Sequence, residues 1–319
     1  FRRPLETGPM SMTMGNWLPP LGISFTADAM GSGFALAAAV VVLVVLVYLQ
    51  ADMPRNGVRD GVYPLALLLL AGVSGSFLTG DLFNLYVWFE VMLIASFGLM
   101  AVGAGRRQLD GAVKYGFINF LATAFFLLAV GLLYGLLGTL NMADIVRVAP
   151  AANPAAMAGV AALFLLAFGM KAAAFPVNAW LPASYHTPNA AISALLAGLL
   201  TKVGVYALLR TLVMLLPASR DILDPVLATL AALTLLIAPL GAIAETNLRR
   251  ALGFLVIGGI GAVLLGIALP GPDGVAGSAT YILHAMLTMT GLYLVAGLIE
   301  KETGETDTRM MGGLYAASA

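Results

Sequence analysis

The sequence predicts an all-α polytopic membrane protein, and three observations carry that prediction. Hydrophobic residues make up 61% of the chain and charged residues only 10%, against about 25% charged in a soluble domain. Mean hydropathy is +0.96. Apolar runs of about 20 residues, long enough to cross a bilayer as helices, recur along the whole length.

Nine such runs fall at about 33–50, 62–80, 82–103, 114–137, 156–176, 188–214, 225–244, 251–269 and 279–299. A tenth is expected to start near Gly313. The first, Phe34 to Leu49, is unbroken apolar sequence apart from Tyr48. The joint between the second and third, at Gly80–Asp81, is so short that the two must pair antiparallel; Asp81 and Asn84 there read as a helix cap. The fifth carries Lys171 and runs into Pro176 and Pro182, which break it. Polar stretches are confined to the first 30 residues, 140–155 and EKETGETDTRM at 300–310, so one membrane domain over 1–319 is expected. The chain begins at Phe1 without the basic–apolar–small order of a signal peptide and ends as an apolar segment starts, which reads as a fragment cut at both ends.

Lysine and arginine placement orients the spans. With the connection after the first run in the cytoplasm, that side collects Arg55, Arg59, Arg106, Arg107, Lys114, Arg249, Arg250, Lys301 and Arg309, and the other side Arg2, Arg3, Arg147, Arg210 and Arg220. On this reading Arg249 and Arg250 are positive-inside anchors.

Composition also excludes chemistry. Sixteen basic and sixteen acidic residues cancel, leaving no nucleic-acid footprint. With no cysteine there is no disulfide, iron–sulfur or thiolate site. No Walker loop, dinucleotide fingerprint, H-E-x-x-H or nucleophile elbow is present. No cofactor and no metal site is expected, and any redox chemistry would belong to a partner.

Function is instead expected where charge enters the apolar runs. Glu90 (LYVWFEVMLIA), Lys171 (LLAFGMKAAAF) and Lys202 (LLAGLLTKVGVYALL) lie well inside, and His284 (TYILHAMLTMTG) is a fourth ionisable group. Each charge at bilayer depth costs about 3 kcal/mol on insertion scales. These groups should therefore face the bundle interior, pair, or touch water. Opposite signs suggest a Glu90–Lys171 pair, and the Pro176 break beside Lys171 is irregular backbone of the kind tolerated where it lines a cavity or is buried in protein. Gly198 and Gly204 leave room around Lys202 for water or close packing. Structural alternatives stand beside each: snorkelling for Lys171, a hydrogen-bonding role for Glu90, a carbonyl partner for His284, and either role for His186 in the break.

The stretches TGDLFNLYVWFEVMLIASFGLM, FGMKAAAFPVNAWLPASYHTPNAAISALLAGLLTKVGVYALLR and NLRRALGFLVIGGIG resemble the antiporter-like subunits of respiratory complex I and of the Mrp cation/proton antiporters. DLFNLYVWFE and LLYGLLGTLNMADI look most like the D-type group of Mrp subunits. The resemblance implies a fourteen-helix fold with inverted five-helix repeats. The nine runs would be its third to eleventh helices, with the first repeat at about 62–214 and part of the second at about 225–319. It further implies that Glu90, Lys171, Lys202 and His284 form a proton relay, Glu90 matching an essential glutamate, Lys171 the lysine of the broken helix and Lys202 the next carrier. The chain departs from D-type relatives at 288–290, where it reads Thr-Met-Thr and a lysine is often found.

The expected function is a proton-translocating subunit of a multisubunit Na⁺/H⁺ antiporter in a bacterial cytoplasmic membrane, partnered by other membrane subunits and handling protons and Na⁺: a secondary transporter and not an enzyme. The alternative is a proton-pumping subunit of a redox-driven complex such as complex I or a membrane-bound hydrogenase. A third reading, a non-transporting scaffold, gives no reason for the cost of the buried charges.

Overall fold

A computed structural model describes residues 2–52, 61–103, 105–269 and 271–314. Arg55, Arg59 and most of the expected tenth run lie outside the described residues. In chain order the elements are α1 (Arg2–Thr7), a hairpin of β1 (Met10–Thr13) and β2 (Ser24–Ala27), then α2 (Ala29–Asp52), α3 (Val62–Leu78), α4 (Leu82–Ala101), α5 (Arg106–Leu137), α6 (Met142–Val148), α7 (Pro154–Ala172), α8 (Trp180–Tyr185), α9 (Ala190–Leu208), α10 (Arg220–Ala244), α11 (Leu248–Ala268) and α12 (Pro272–Thr303). Among the described residues eight helices are long and apolar enough to span a membrane, and α3, at 17 residues, is a shorter apolar helix. The hairpin pairs antiparallel, with Met10 opposite Ala27 and Thr13 opposite Ser24.

The helix starts follow capping chemistry. Asp81, Asn141, Asn153, Asn189 and Asn247 each accept a backbone N–H of the helix they precede, satisfying donors that a first turn otherwise leaves open. Gly138 and Gly304 end α5 and α12 in the left-handed conformation, as C-terminal glycines commonly do. Several helices overrun their apolar runs. α5 begins at Arg106, its first turns held by an exposed Lys114–Asp110 pair at 2.5 Å. α10 contains Pro225 and Pro239, and α12 runs from Pro272 to Thr303.

α9 is the axle of the bundle, with every residue from Ala190 to Leu208 buried. Two of its glycines bring neighbours to backbone distance. A Cβ on Gly204 would lie 3.1 Å from the Ala172 nitrogen and 3.2 Å from the Phe168 carbonyl oxygen of α7, and one on Gly198 3.2 Å from the Met286 carbonyl oxygen of α12. The room that the sequence leaves at these glycines is taken up by helix packing.

Ladders close both ends. At one end Phe25 bridges Thr79 and Asp81 bridges Asn141; at the other Asn247 bridges Asp307. By the charge-based orientation the first end is outer and the second cytoplasmic.

Candidate functional site

The break after α7 is built by the backbone before the proline is reached. α7 ends at Ala172 because Ala173 is left-handed, with φ 61°. The chain turns through 174–179 and resumes as α8. Irregular backbone at this depth needs partners, and it has them: the Phe175 N–H donates to Thr234 Oγ1 of α10 at 3.1 Å, and Trp180 Nε1 donates to the Met170 carbonyl at 3.1 Å, tying the two halves together. The sequence placed the break at Pro176; the structure places the end of the helix one residue past Lys171, with Pro176 exposed in the turn.

Lys171, in the last turn of α7, is 2% exposed. Its ammonium makes no hydrogen bond among the described residues and lies over the Phe89 ring of α4, 4.7 Å from the centroid, a cation–π contact. Snorkelling is thereby corrected: the side chain stays in the interior. Glu90, the residue after Phe89, is half-buried. It acts electrostatically on Lys171 and on Tyr86 one turn back, but the carboxylate and the ammonium are not bonded.

Lys202 is also 2% exposed. Its side chain bends back along α9, as long helical side chains do, and Nζ donates to the Ala197 carbonyl at 2.5 Å. Beside it lies a cavity of about 10 Å³ between α9, α11 and α12, bordered by Val256, Ile260, Tyr281 and Met289. That is close to the room one water needs. Gly204, two residues past Lys202, packs on Ala172, the neighbour of Lys171. The two lysines thus sit on touching helices near one contact.

His284 is not brought to them. It is exposed on α12, with Thr288 Oγ1 3.3 Å from its Nδ1 and the Tyr281 ring 5.7 Å away. The face of α12 turned to Lys202 carries Tyr281, Ile282, Ala285 and Met289; position 284 lies off that stripe. Tyr281, three residues earlier, is the polar group that sequence reading missed, and only its helical spacing from Met289 and Ala285 hints at it.

Arg249 departs from the anchor reading. Its side chain is 12% exposed and pairs with Glu300 of α12 at 2.9 Å, while Nη1 donates to the Pro188 carbonyl at 2.5 Å and to Ser193 Oγ at 3.3 Å. Arg250 pairs with Glu245 at 2.9 Å. Asn189 donates to Asp52 at 2.9 Å. This clasp fastens the start of α9 to α2, α11 and α12. His186 lies beside it, its Nδ1 2.8 Å from the Pro182 carbonyl. Burial holds the His186 imidazole below its ordinary value; the Pro182 bond opposes the shift, and Arg250, Arg249 and Lys114 add to it. The Asp81 cap is as expected, accepting the Asn84 N–H at 2.8 Å. Among the described residues no group of three or more His, Asp or Glu is placed to hold a metal.

A helical bundle that keeps two lysines in its interior, one on each side of a break, defines a multi-pass membrane protein whose intramembrane charges are its candidate functional site. Comparison narrows the class. The chain belongs to the family described as NADH:quinone oxidoreductase/Mrp antiporter, TM, whose model matches residues 79–318. It is 38% identical over 310 residues to the D subunit of a Na⁺/H⁺ antiporter of Alkalihalophilus pseudofirmus, covering 97% of this chain and 63% of that protein. Against the corresponding D subunit of Bacillus subtilis the identity is 38% over 308 residues, with 96% and 62% covered. The chain therefore spans under two thirds of the length of these relatives. Among solved structures it resembles the Mrp complex from Dietzia sp. (TM-score 0.84, 33% identity, 92% of this chain and 55% of that one). It also resembles a membrane-bound sulfane sulfur reductase, an archaeal respiratory membrane complex (TM-score 0.92, 29% identity, 98% and 64%).

Proposed function

We propose that this chain forms the proton-translocating part of a multisubunit Na⁺/H⁺ antiporter in a bacterial cytoplasmic membrane, working as a secondary transporter beside other membrane subunits. The observation that carries the reading is the pair of buried lysines on touching helices, one of them with no hydrogen-bond partner among the described residues. A lysine can hold or release its proton, which an arginine cannot, so a partnerless ammonium in the interior is suited to passing a proton on.

In the proposed cycle Glu90 approaches Lys171 and holds its proton in place; separation frees the proton to move through water to Lys202. Glu90 and Lys171 are not bonded in the structure, so the cycle requires the two to approach. From Lys202 the proton continues towards α11 and α12, the side on which its small cavity lies. A part for His284 in that onward transfer rests on the family resemblance, since its exposed position gives it no contact with Lys202.

A second reading, a proton pump powered by a redox arm, is favoured by one observation, the TM-score of 0.92 to the respiratory sulfane sulfur reductase. Inverted vesicles carrying the complete complex separate the two. A pH gradient that collapses when Na⁺ is added, and does so about a hundredfold more slowly in Lys171→Ala, supports antiport with Lys171 in the path. A gradient that ignores Na⁺ and forms only with an electron donor supports the redox-driven reading. Sodium-dependent collapse unchanged in Lys171→Ala contradicts the relay.

A further inference from the structure

α9 and the π-helical segment that continues it carry a polar stripe at four-residue spacing, Lys202, Tyr206 and Arg210, leading from the buried lysine towards the outer end. Residues four apart on a helix are neighbours, and eight residues rise about 12 Å. At the end of the stripe, Arg210 sits in a π-helical segment, Leu209–Leu215, and borders a cavity of about 400 Å³ of mixed lining, with Asp28, Thr79 and Asn141 beside Met142, Val146 and Leu215. Such a stripe ending at a cavity looks like a way out for the Lys202 proton, but its bonding says the reverse.

Tyr206 Oη donates to the Phe77 carbonyl at 2.7 Å and accepts from Arg210 Nε at 2.8 Å. Its one proton is committed and its acceptor side is taken. Its ring packs against Phe34 at 5.7 Å and Phe77 at 4.9 Å, an aromatic seal. The Arg210 guanidinium lies 5.1 Å from the centre of that ring and pairs with Asp28 at 2.5 Å, the two side chains only 9% and 18% exposed. Nη1 reaches Met214 Sδ at 3.2 Å. A guanidinium does not give up its proton, and a fixed positive charge in a pore excludes protons and cations. The Lys202 ammonium points the other way, to Ala197.

We propose that Arg210, held by Asp28 and Tyr206, is an electrostatic plug that closes the outer end of the α9 stripe, so that a proton on Lys202 cannot leak to the outer cavity and must leave laterally towards α11 and α12. Arg210 is thus a positioning residue for transport, and the inference rests on the proposed role of Lys202.

The test is passive decay of an imposed pH gradient, without added Na⁺, in inverted vesicles bearing the complete complex. Arg210→Gln removes the guanidinium that closes the route and is expected to speed decay severalfold. Adding Lys202→Ala to Arg210→Gln should restore the slow rate. If Arg210→Gln fails to assemble, Asp28→Asn with Arg210→Gln, which leaves no unpaired carboxylate, takes its place; the guanidinium is gone there too, so decay should still exceed wild type, by less because the pair's net charge is unchanged. Decay equal to wild type in the charge-removed variant overturns the plug, as does a leak that persists without Lys202. The underlying reading fails separately, if Lys202→Ala alone leaves Na⁺-dependent collapse intact.

Discussion

The two ends of the bundle and its middle treat buried charge in opposite ways. At the outer end Arg210 is bonded to Asp28, Tyr206 and Met214. At the cytoplasmic end Arg249 is bonded to Glu300, Pro188 and Ser193. Between them Lys202 has a single backbone carbonyl, and Lys171 has an aromatic ring in place of a hydrogen bond. The residue types differ as the bonding does. Arginine, permanently charged and bidentate, stands where charge is fixed; lysine, able to exist with or without its proton, stands where it is not. Among the described residues Arg210 and Arg249 are paired with carboxylates, and Lys171 and Lys202 are not.

The contrast can be broken most forcefully at Arg249. Arg249→Ala leaves Glu300, 12% exposed, without its partner. Removing one member of a buried pair costs about 3–5 kcal/mol, so the thermal midpoint of the purified complex should fall clearly. A midpoint within error of wild type would mean that the end clasps are not structural.

Lys171→Met should move stability the other way. It removes a buried donor with no partner, a group whose burial costs about 1–3 kcal/mol, and fills the same volume with an apolar chain. The midpoint should rise while Na⁺-dependent transport is lost. A stability loss would show that Lys171 is held by contacts like those at the ends.

The smallest effect is expected at His186. Its value in the folded chain is held down by burial, so below about pH 6.5, the ordinary value, the unfolded chain takes up a proton that the folded one resists. Stability then falls as pH falls. The midpoint of wild type should drop more steeply than that of His186→Gln on acidification; parallel curves would remove His186 from the account.

The spans were legible in the sequence because bilayer-length apolar runs are hard to mistake. So were Lys171 and Lys202 as interior charges, because a lone lysine in such a run is costly unless it turns into the bundle. Helix ends were less legible. The first turns of α5 are polar and pair within themselves, so hydropathy stops at 114 where the helix begins at Arg106. Pro176 drew attention from Ala173, whose left-handed backbone ends α7 and leaves no mark in the sequence. His284 and Tyr281 differ by three positions on one helix, and which of them faces Lys202 depends on how α12 rolls against α9, a matter of packing at Gly198. Arg210 and Arg249 read as unpaired charges at the two membrane faces because their partners, Asp28 and Glu300, lie far away in sequence.

The most direct test of the central claim is Na⁺-dependent collapse of a pH gradient in vesicles carrying Lys202→Arg, with assembly of the complex checked in the same membranes. Arginine keeps the positive charge and abolishes its release. The account predicts an assembled complex that no longer collapses the gradient. Collapse at the wild-type rate in the Lys202→Arg complex would contradict it, showing that the interior needs only a fixed charge there and that the proton travels by another route.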